Sequence, residues 1–233
     1  ILTHHARHPV TGGRVKDQEE NFIGFGRPGP VAESLECPPW ASTLVFEDQL
    51  RPGFYQEWDD FPYPDSLRRN GRYFGDIWMT VAFAPARGNR WGTEYCETHI
   101  DAHFGVQFTQ QSRDKTRTES KFKGLVPPEH KNPGQLYEAY QVERLRKWAP
   151  VRTYFGSLGP NGHRGDRWRM KVQLLCRHAA QDRLSANPQK FALIVTIADP
   201  TKKAPVYNEM AIKIRNRWQS QNLALRSNIQ IQQ

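Results

Sequence analysis

The clearest pattern in the chain runs from residue 98 to residue 108, where apolar and polar side chains alternate. The apolar positions are Ile100, Ala102, Phe104, Val106 and Phe108, and the polar ones are His99, Asp101, His103 and Gln107. A period of two places successive side chains on opposite faces of a β-strand. The pattern therefore predicts a strand with one buried face and one solvated face.

Similar apolar runs, separated by turn residues, recur along the chain. They predict strands at residues 42–50, 73–85, 151–158, 167–177 and 191–198, and an edge strand between Leu223 and Ile231. Helical spacing predicts a helix at residues 135–148 and a short one at 31–36, whereas residues 110–132 are polar and predict a loop. These elements indicate a mainly β protein, an antiparallel β-sandwich of the jelly-roll or galactose-binding-like type with one or two short helices.

The first residues differ from the rest. Ile1-Leu2-Thr3-His4-His5-Ala6 has neither an initiator Met nor a signal-peptide pattern and is typical of the end of a helix. We therefore expect the chain to be a fragment or a processed product. His4 and His8 fit one face of such a helix, and we interpret them as parts of an exposed end.

Composition narrows the class of protein further. The chain has 33 Lys and Arg against 24 Asp and Glu, a net charge of +9. Aromatic residues at 12% argue against a disordered chain, and no apolar run approaches the ~18 residues of a membrane span. Three widely spaced cysteines, Cys37, Cys96 and Cys176, indicate free, inert thiols. They favour a reducing compartment such as the bacterial cytoplasm.

Three stretches of the sequence resemble the subtilisin-like serine proteases. After the helix-like start, Gly24-Phe25-Gly26-Arg27-Pro28 is similar to the turn that follows the last helix of their catalytic domain. Residues 75–85 and 189–195 are similar to two strands of the jelly-roll domain that follows the catalytic domain in many of these enzymes. The resemblance implies that residues 1–36 end an α/β catalytic domain and that residues 37–233 form its C-terminal sandwich.

The same resemblance implies a function. The chain would be the non-catalytic C-terminal part of a serine endopeptidase, which packs on the catalytic domain for stability, substrate access or partner recognition. That domain, in the same or a separate chain, is the expected partner. The family's catalytic motifs are absent, because Asp65-Ser66-Leu67 lacks the required Gly and Gly92-Thr93-Glu94 has Glu in place of Ser. We therefore assign no catalytic residue and expect no peptide hydrolysis by this chain alone.

Two motifs suggest bound ligands. Gly24 to Gly29 matches a dinucleotide-binding pattern but lacks the preceding strand, so we interpret it as a tight loop without a cofactor. His99, Asp101 and His103 are candidate metal ligands. Residues four apart on a strand are roughly 13 Å apart, so a metal would need help from another strand, such as His178. We interpret the three as a solvated face and predict no metal.

Basic residues cluster in the sequence and suggest an alternative function. The candidate contacts for a partner or a phosphate are Arg113, Lys115, Arg117, Lys121, Lys123, Arg144, Arg146 and Lys147, and a further cluster spans residues 164–171. Basic patches beside Trp148 and Trp168 are typical of nucleic-acid binding, so a basic nucleic-acid-binding sandwich is the alternative. No nucleic-acid-binding motif accompanies them, which favours a solvated face or a docking face for an acidic protein.

Overall fold

The computed structural model describes residues 4, 6, 36–88, 96–111, 118–127, 150–220 and 227–230. The strands are β1 (Ala41–Leu50), β2 (Phe54–Trp58), β3 (Arg68–Arg69), β4 (Arg72–Tyr73), β5 (Asp76–Phe83), β6 (Thr98–Gln111), β7 (Thr118–Val126), β8 (Val151–Ser157), β9 (His163–Arg164), β10 (Arg167–Cys176), β11 (Gln189–Ala198) and β12 (Ser227–Gln230). The helices are α1 (Gln181–Ala186) and α2 (Val206–Ser220), with 3₁₀ turns at Asp65–Leu67 and His178–Ala180.

Two antiparallel sheets pack face to face. One has the order β1-β11-β5-β8, and the other has the order β12-β2-β10-β6-β7. If the eight longest strands are counted along the chain, the first sheet contains strands 1-8-3-6 and the second contains strands 2-7-4-5. This nested order is that of an eight-stranded jelly roll, which consists of two Greek keys. The predicted antiparallel β-sandwich is confirmed.

The space between the sheets is filled by side chains that recur with a period of two. Ile77, Met79 and Val81 on β5, and Ile100 and Phe104 on β6, are each at most 1% exposed. They form one cluster with inward-facing residues of β10 and β11, including Met170, Val172, Leu193 and Val195. The buried face predicted for β6 is confirmed from Ile100 to Val106, whereas Phe108 lies beyond the core and is only partly covered.

Aromatic rings fill one end of this core. The ring centroid of Trp168, on β10, lies 4.7 Å from that of Tyr63, 5.1 Å from that of Tyr73 and 5.0 Å from that of Phe104. Phe61 meets Phe104 edge to face at 4.8 Å. Such pairs contribute about 0.5–1.5 kcal/mol each beyond the area that they bury. We call Phe61, Tyr63, Tyr73, Phe104 and Trp168 the aromatic cluster.

Most strand predictions agree with the structure. The predicted strands at residues 42–50, 151–158, 167–177 and 191–198 match β1, β8, β10 and β11 to within two residues at each end. The predicted strand at 73–85 is divided into β4 and β5, because Gly75 between them has a φ of 112°. The expected edge strand is β12, which pairs with β2 at the margin of its sheet.

The loop predicted at residues 110–132 is wrong, because β7 lies within it. The first six residues of β7 are mostly exposed, and only Gly124 and Val126 are buried. An edge strand of this kind keeps its charged residues in water and pairs along one side only. Its sequence therefore has the composition of a loop, and its pairing with β6 is a tertiary effect.

Helix α2 was not predicted from the sequence. It packs through Val206 and Met210, which are fully buried, while most of its other described side chains are at least partly exposed. Pro205 directly before the helix is the signal that would have indicated its start. The helices predicted at 135–148 and 31–36 lie outside the described residues, apart from Glu36. Within the described part of the chain, no helix is long and apolar enough to cross a membrane.

The core assignment makes a quantitative prediction. Phe104→Ala removes a ring that contacts both Phe61 and Trp168, so it should lower the free energy of unfolding by ~3–5 kcal/mol. Val45→Ala, at a position that is 50% exposed, should cost less than ~1 kcal/mol. Chemical denaturation of the two variants measures both values. Equal losses would contradict the assigned faces.

Candidate functional site

A small three-stranded sheet, β3-β4-β9, lies next to the aromatic cluster. Its first two strands form a hairpin closed by Asn70-Gly71. Both turn residues have positive φ, 51° and 68°, which is the conformation that makes Asn-Gly the strongest sequence signal for a two-residue hairpin. The turn fixes which residues of the two strands stand opposite each other.

Three arginines form one row across this sheet. Arg69 lies directly opposite Arg72, and Arg72 lies directly opposite Arg164 on β9. Neighbouring strands are about 4.8 Å apart, so three positive side chains start from positions within roughly 10 Å of each other. Like charges directly opposite each other destabilise a sheet. The row is therefore locally unfavourable for the small sheet, and an anion bound across it would relieve the repulsion.

Two further arginines enlarge this row. We call Arg68, Arg69, Arg72, Arg164 and Arg167 the arginine end, and all five are exposed. Arg68 donates from Nη2 to the carbonyl oxygen of Asp166 at 3.1 Å, and Arg72 donates from Nη1 to that of Asn161 at 3.0 Å. Carbonyl oxygens orient these guanidinium groups without neutralising them. Within the described residues, none of the five arginines forms an ion pair with a carboxylate.

Neighbouring titratable groups respond to this positive charge. The pKa of His163, on β9, is lowered first by burial and then by the charges of Lys123 and Arg72. Lys123 of β7 therefore acts on the same surface. The carboxylate of Asp166 accepts a hydrogen bond from the backbone N–H of Thr109 at 2.7 Å. Hydrogen bonds from Thr109, followed by the charges of Arg164 and Arg167, lower the pKa of Asp166.

The arginine end is attached firmly to the core. Tyr73 of β4 is 2% exposed and belongs to the aromatic cluster, and the Arg68 guanidinium carbon lies 5.2 Å from the centre of its ring. Tyr63 donates from its hydroxyl to the carbonyl oxygen of Phe74 at 2.6 Å. Gly162, before β9, has a φ of 57°, and a Cβ there would lie 2.7 Å from the Tyr73 carbonyl oxygen. The strands that carry the arginines are thus held by packing, a hydrogen bond and a close backbone contact.

The structure describes only part of the basic surface predicted from the sequence. Lys121 and Lys123 are exposed on β7, whereas six predicted contacts lie outside the described residues: Arg113, Lys115, Arg117, Arg144, Arg146 and Lys147. The cluster at residues 164–171 contributes Arg164 and Arg167 to the arginine end. Sequence reasoning missed Arg68, Arg69 and Arg72, although the intervening Asn-Gly indicates a hairpin that brings them together.

The solvated face predicted for His99, Asp101 and His103 is wrong. His103 is 8% exposed, and its Nε2 and Nδ1 lie 3.2 Å from Asp101 Oδ2 and 3.2 Å from the Pro127 carbonyl oxygen. Both neighbours are hydrogen-bond acceptors. Arg152 of β8, which is 1% exposed, donates to the carbonyl oxygen of Ile100, which lies on β6 with His103. The period of two correctly predicts which face of β6 lies against the core. The opposite face of β6 is also covered at His103, and the prediction missed this.

The environment sets the charge states of this buried group. Burial alone would raise the pKa of Asp101, but the hydrogen bond and charge of His103, with the charges of His99 and Arg152, hold it well below its usual range. Burial, and then Arg152, lower the pKa of His99 far below its ordinary value, against the opposing effect of Asp101. Among the residues that the structure describes, no three His, Cys, Asp or Glu side chains are placed to hold a metal ion.

The remaining candidates add no chemistry to the described structure. All three cysteines are free and partly buried, as expected for unpaired thiols. Burial raises the pKa of Cys96, with Arg87 opposing, and burial also raises the pKa of Cys176. The glycine-rich motif from Gly24 to Gly29 lies outside the described residues. His4 is fully buried, so its assignment to an exposed end is wrong.

Comparison with known proteins gives no relative from which to transfer a function. No family model matches the chain, and neither a curated protein nor a solved structure matches it significantly.

The lowered pKa values of His99 and Asp101 predict how the stability of the protein depends on pH. The unfolded chain takes up protons on His99 below about pH 6.5 and on Asp101 below about pH 4, where the folded chain resists both. The free energy of unfolding should therefore fall as the pH drops through these two ranges. Asp101→Asn should reduce the fall in the lower range without abolishing it, because the pKa values of Asp166 and Asp199 are lowered as well. The measurement is chemical denaturation of both proteins from about pH 7 to about pH 3. A chelator should change nothing at neutral pH, and destabilisation by chelator would instead indicate a metal.

Proposed function

We propose that this chain is a structural jelly-roll protein, of the kind that builds capsid shells, and that it binds nucleic acid through the arginine end. The observation that carries the proposal is the row of Arg69, Arg72 and Arg164 across one small sheet. Aligned like charges weaken a sheet, so their presence on an exposed and firmly held surface favours a role in binding. A polyanion is the ligand that this arrangement fits.

Phosphate is the anion that suits these side chains best. Arginine presents a planar fork of donors that matches the oxygens of phosphate, and guanidinium groups keep their charge at any physiological pH. Phosphates of a nucleic acid repeat about every 3.4 Å along each strand of DNA, so one strand offers several charges within the length of the row. An acidic protein seldom presents charges at so short and regular a spacing.

The fold supports a structural role over an enzymatic one. Eight-stranded jelly rolls occur in capsid proteins, lectins and cupins. An enzymatic jelly roll with its site inside the barrel needs an open interior, whereas here the aromatic cluster fills one end of the interior. A neutral carbohydrate does not need clustered arginines, but a protein that packages nucleic acid does. The choice among these classes rests on analogy of fold together with the charge of the site.

The subtilase hypothesis stays a prediction. Its two resembling segments, residues 75–85 and 189–195, contain β5 and part of β11, which are neighbours in one sheet. That pairing is compatible with the hypothesis but is a general feature of the jelly roll. Binding of this chain to a purified subtilase catalytic domain, in a manner insensitive to salt, would support it over the nucleic-acid proposal.

We also propose a reducing compartment such as the cytoplasm. The support is that the three cysteines, Cys37, Cys96 and Cys176, are free in the folded chain.

A salt series tests nucleic-acid binding. The full chain should bind single-stranded DNA with an affinity that falls steeply with salt, and Arg69→Ala with Arg164→Ala should weaken binding and reduce the log–log salt slope by ~0.7 per lost contact. Fluorescence anisotropy measures both quantities. Arg51→Ala is the matched control. Arg51 is an exposed arginine that directly follows β1, at the end of this strand that is farther from the arginine end. Its substitution should leave affinity unchanged.

Two outcomes would contradict the proposal. One is an unchanged salt slope in the double variant, and the other is an equal loss of affinity in Arg51→Ala. Sedimentation of the same mixtures tests the structural role, because a shell-building protein should form large particles with nucleic acid, whereas a simple binding module should form complexes of a few copies.

A further inference from the structure

The outer face of the four-stranded sheet, the face turned away from the core, carries few charges. Its residues include Val45, Thr80, Phe155, Ile194 and Thr196. A sheet face in contact with water is normally polar. Thr80, Ile194 and Thr196, at the centre, are at most 6% exposed, whereas Val45 and Phe155, on the two edge strands, are 50% and 51% exposed. The centre of this face is therefore covered and its margins are open.

A histidine from the start of the chain lies over that centre. His4 is fully buried and Ala6 is 4% exposed. The His4 ring places Nδ1 2.7 Å from the hydroxyl of Thr80 on β5 and Nε2 2.7 Å from the hydroxyl of Thr196 on β11. The imidazole thus bridges the two central strands of the sheet.

The two hydroxyl groups belong to a longer chain of hydrogen bonds. Thr43 of β1 lies 2.7 Å from Thr196, and Thr153 of β8 lies 2.8 Å from Thr80, each measured between hydroxyl oxygens. Each of the four strands therefore supplies one threonine, and His4 joins the two halves. A neutral imidazole carries one donor and one acceptor on opposite edges of its ring, and hydroxyl groups fill either role. Alanine at position 4 would leave two buried hydroxyls without this partner.

We propose that this face is a docking site for a histidine-bearing peptide segment, and that it accepts the segment around His4 of a second copy of this chain in exchange for its own. Ala6 and Glu36 are 30 positions apart, a contour length of ~100 Å. A folded domain of this size has a radius of gyration of ~17 Å, so the segment is long enough to reach the same face of a neighbouring copy. Exchange of an identical segment is a low-cost way to link copies.

This inference goes beyond the proposed function and does not depend on nucleic-acid binding. It assigns the four threonines as a recognition site, with His4 as the residue that is recognised. The exposed margins, Val45 and Phe155, give an incoming segment apolar surface on both sides of the threonine row.

The test supplies the segment on a separate molecule. A chain that lacks residues 1–8 is titrated with a fluorescent peptide of sequence ILTHHARH, and binding is followed by anisotropy. Binding should be saturable, and the His4→Ala peptide should bind at least ~10-fold more weakly. Thr196→Val in the truncated chain should cause a similar loss. Thr118→Val, at an exposed position on β7, is the control and should bind like the parent. Equal binding by the two peptides would overturn the inference, as would no binding by a folded truncated chain.

A second measurement covers a truncated chain that does not fold. In the full chain, His4→Ala and Thr196→Val are combined in a double-mutant cycle, with stability measured by chemical denaturation. Groups that share one hydrogen bond should give losses that are not additive. Mixing His4→Ala chains with intact chains should then produce a mixed dimer by size exclusion, because the intact copy donates its segment. Additive losses, or no mixed species, would overturn the inference.

Discussion

The packing of Trp168 against three other aromatic rings holds the functional end of this protein together. Its ring lies about 5 Å from those of Tyr63, Tyr73 and Phe104, which come from a loop, the small sheet and β6. This contact joins the strand that follows the Asn70-Gly71 turn to β10 of the main sheet. Because Tyr73 alternates with Arg72 along β4, burying the one exposes the other. The core thereby determines where the arginines stand.

The arginine end lowers the stability of the small sheet and presents a concentrated positive charge to solvent. Arginines that face each other across a sheet repel, and carbonyl contacts orient them without removing that repulsion. The small sheet tolerates this repulsion because its strands are also held by packing of Tyr73 in the aromatic cluster, by the Tyr63 hydrogen bond and by the close approach of Gly162 to Tyr73. Local conflict of this kind is expected at a binding site rather than on an ordinary surface.

Much of the sandwich could be predicted from the sequence because β-strands with one buried face alternate visibly. Features that depend on neighbours could not. The alternation of β6 identifies its core face, but not that the rest of the chain covers His103 on the other. β7 has the composition of a loop because one of its sides has no partner strand among the described residues. In the part of α2 whose burial is described, only Val206 and Met210 are buried, so its apolar pattern is weak. In the arginine row, the Asn-Gly turn indicates the pairing of Arg69 with Arg72. The pairing of Arg72 with Arg164 spans more than 90 positions in sequence, and no local pattern encodes it.

The central claim is that nucleic acid binds at the arginine end, and photochemical cross-linking tests it most directly. The full chain is irradiated with a single-stranded oligonucleotide that carries photoreactive bases, and the linked peptides are identified by mass spectrometry. The account predicts that, within the described residues, cross-links concentrate at residues 68–74 and 161–168, and that they disappear at high salt. Cross-links concentrated on the outer face of the four-stranded sheet, or spread evenly over the surface, would contradict it.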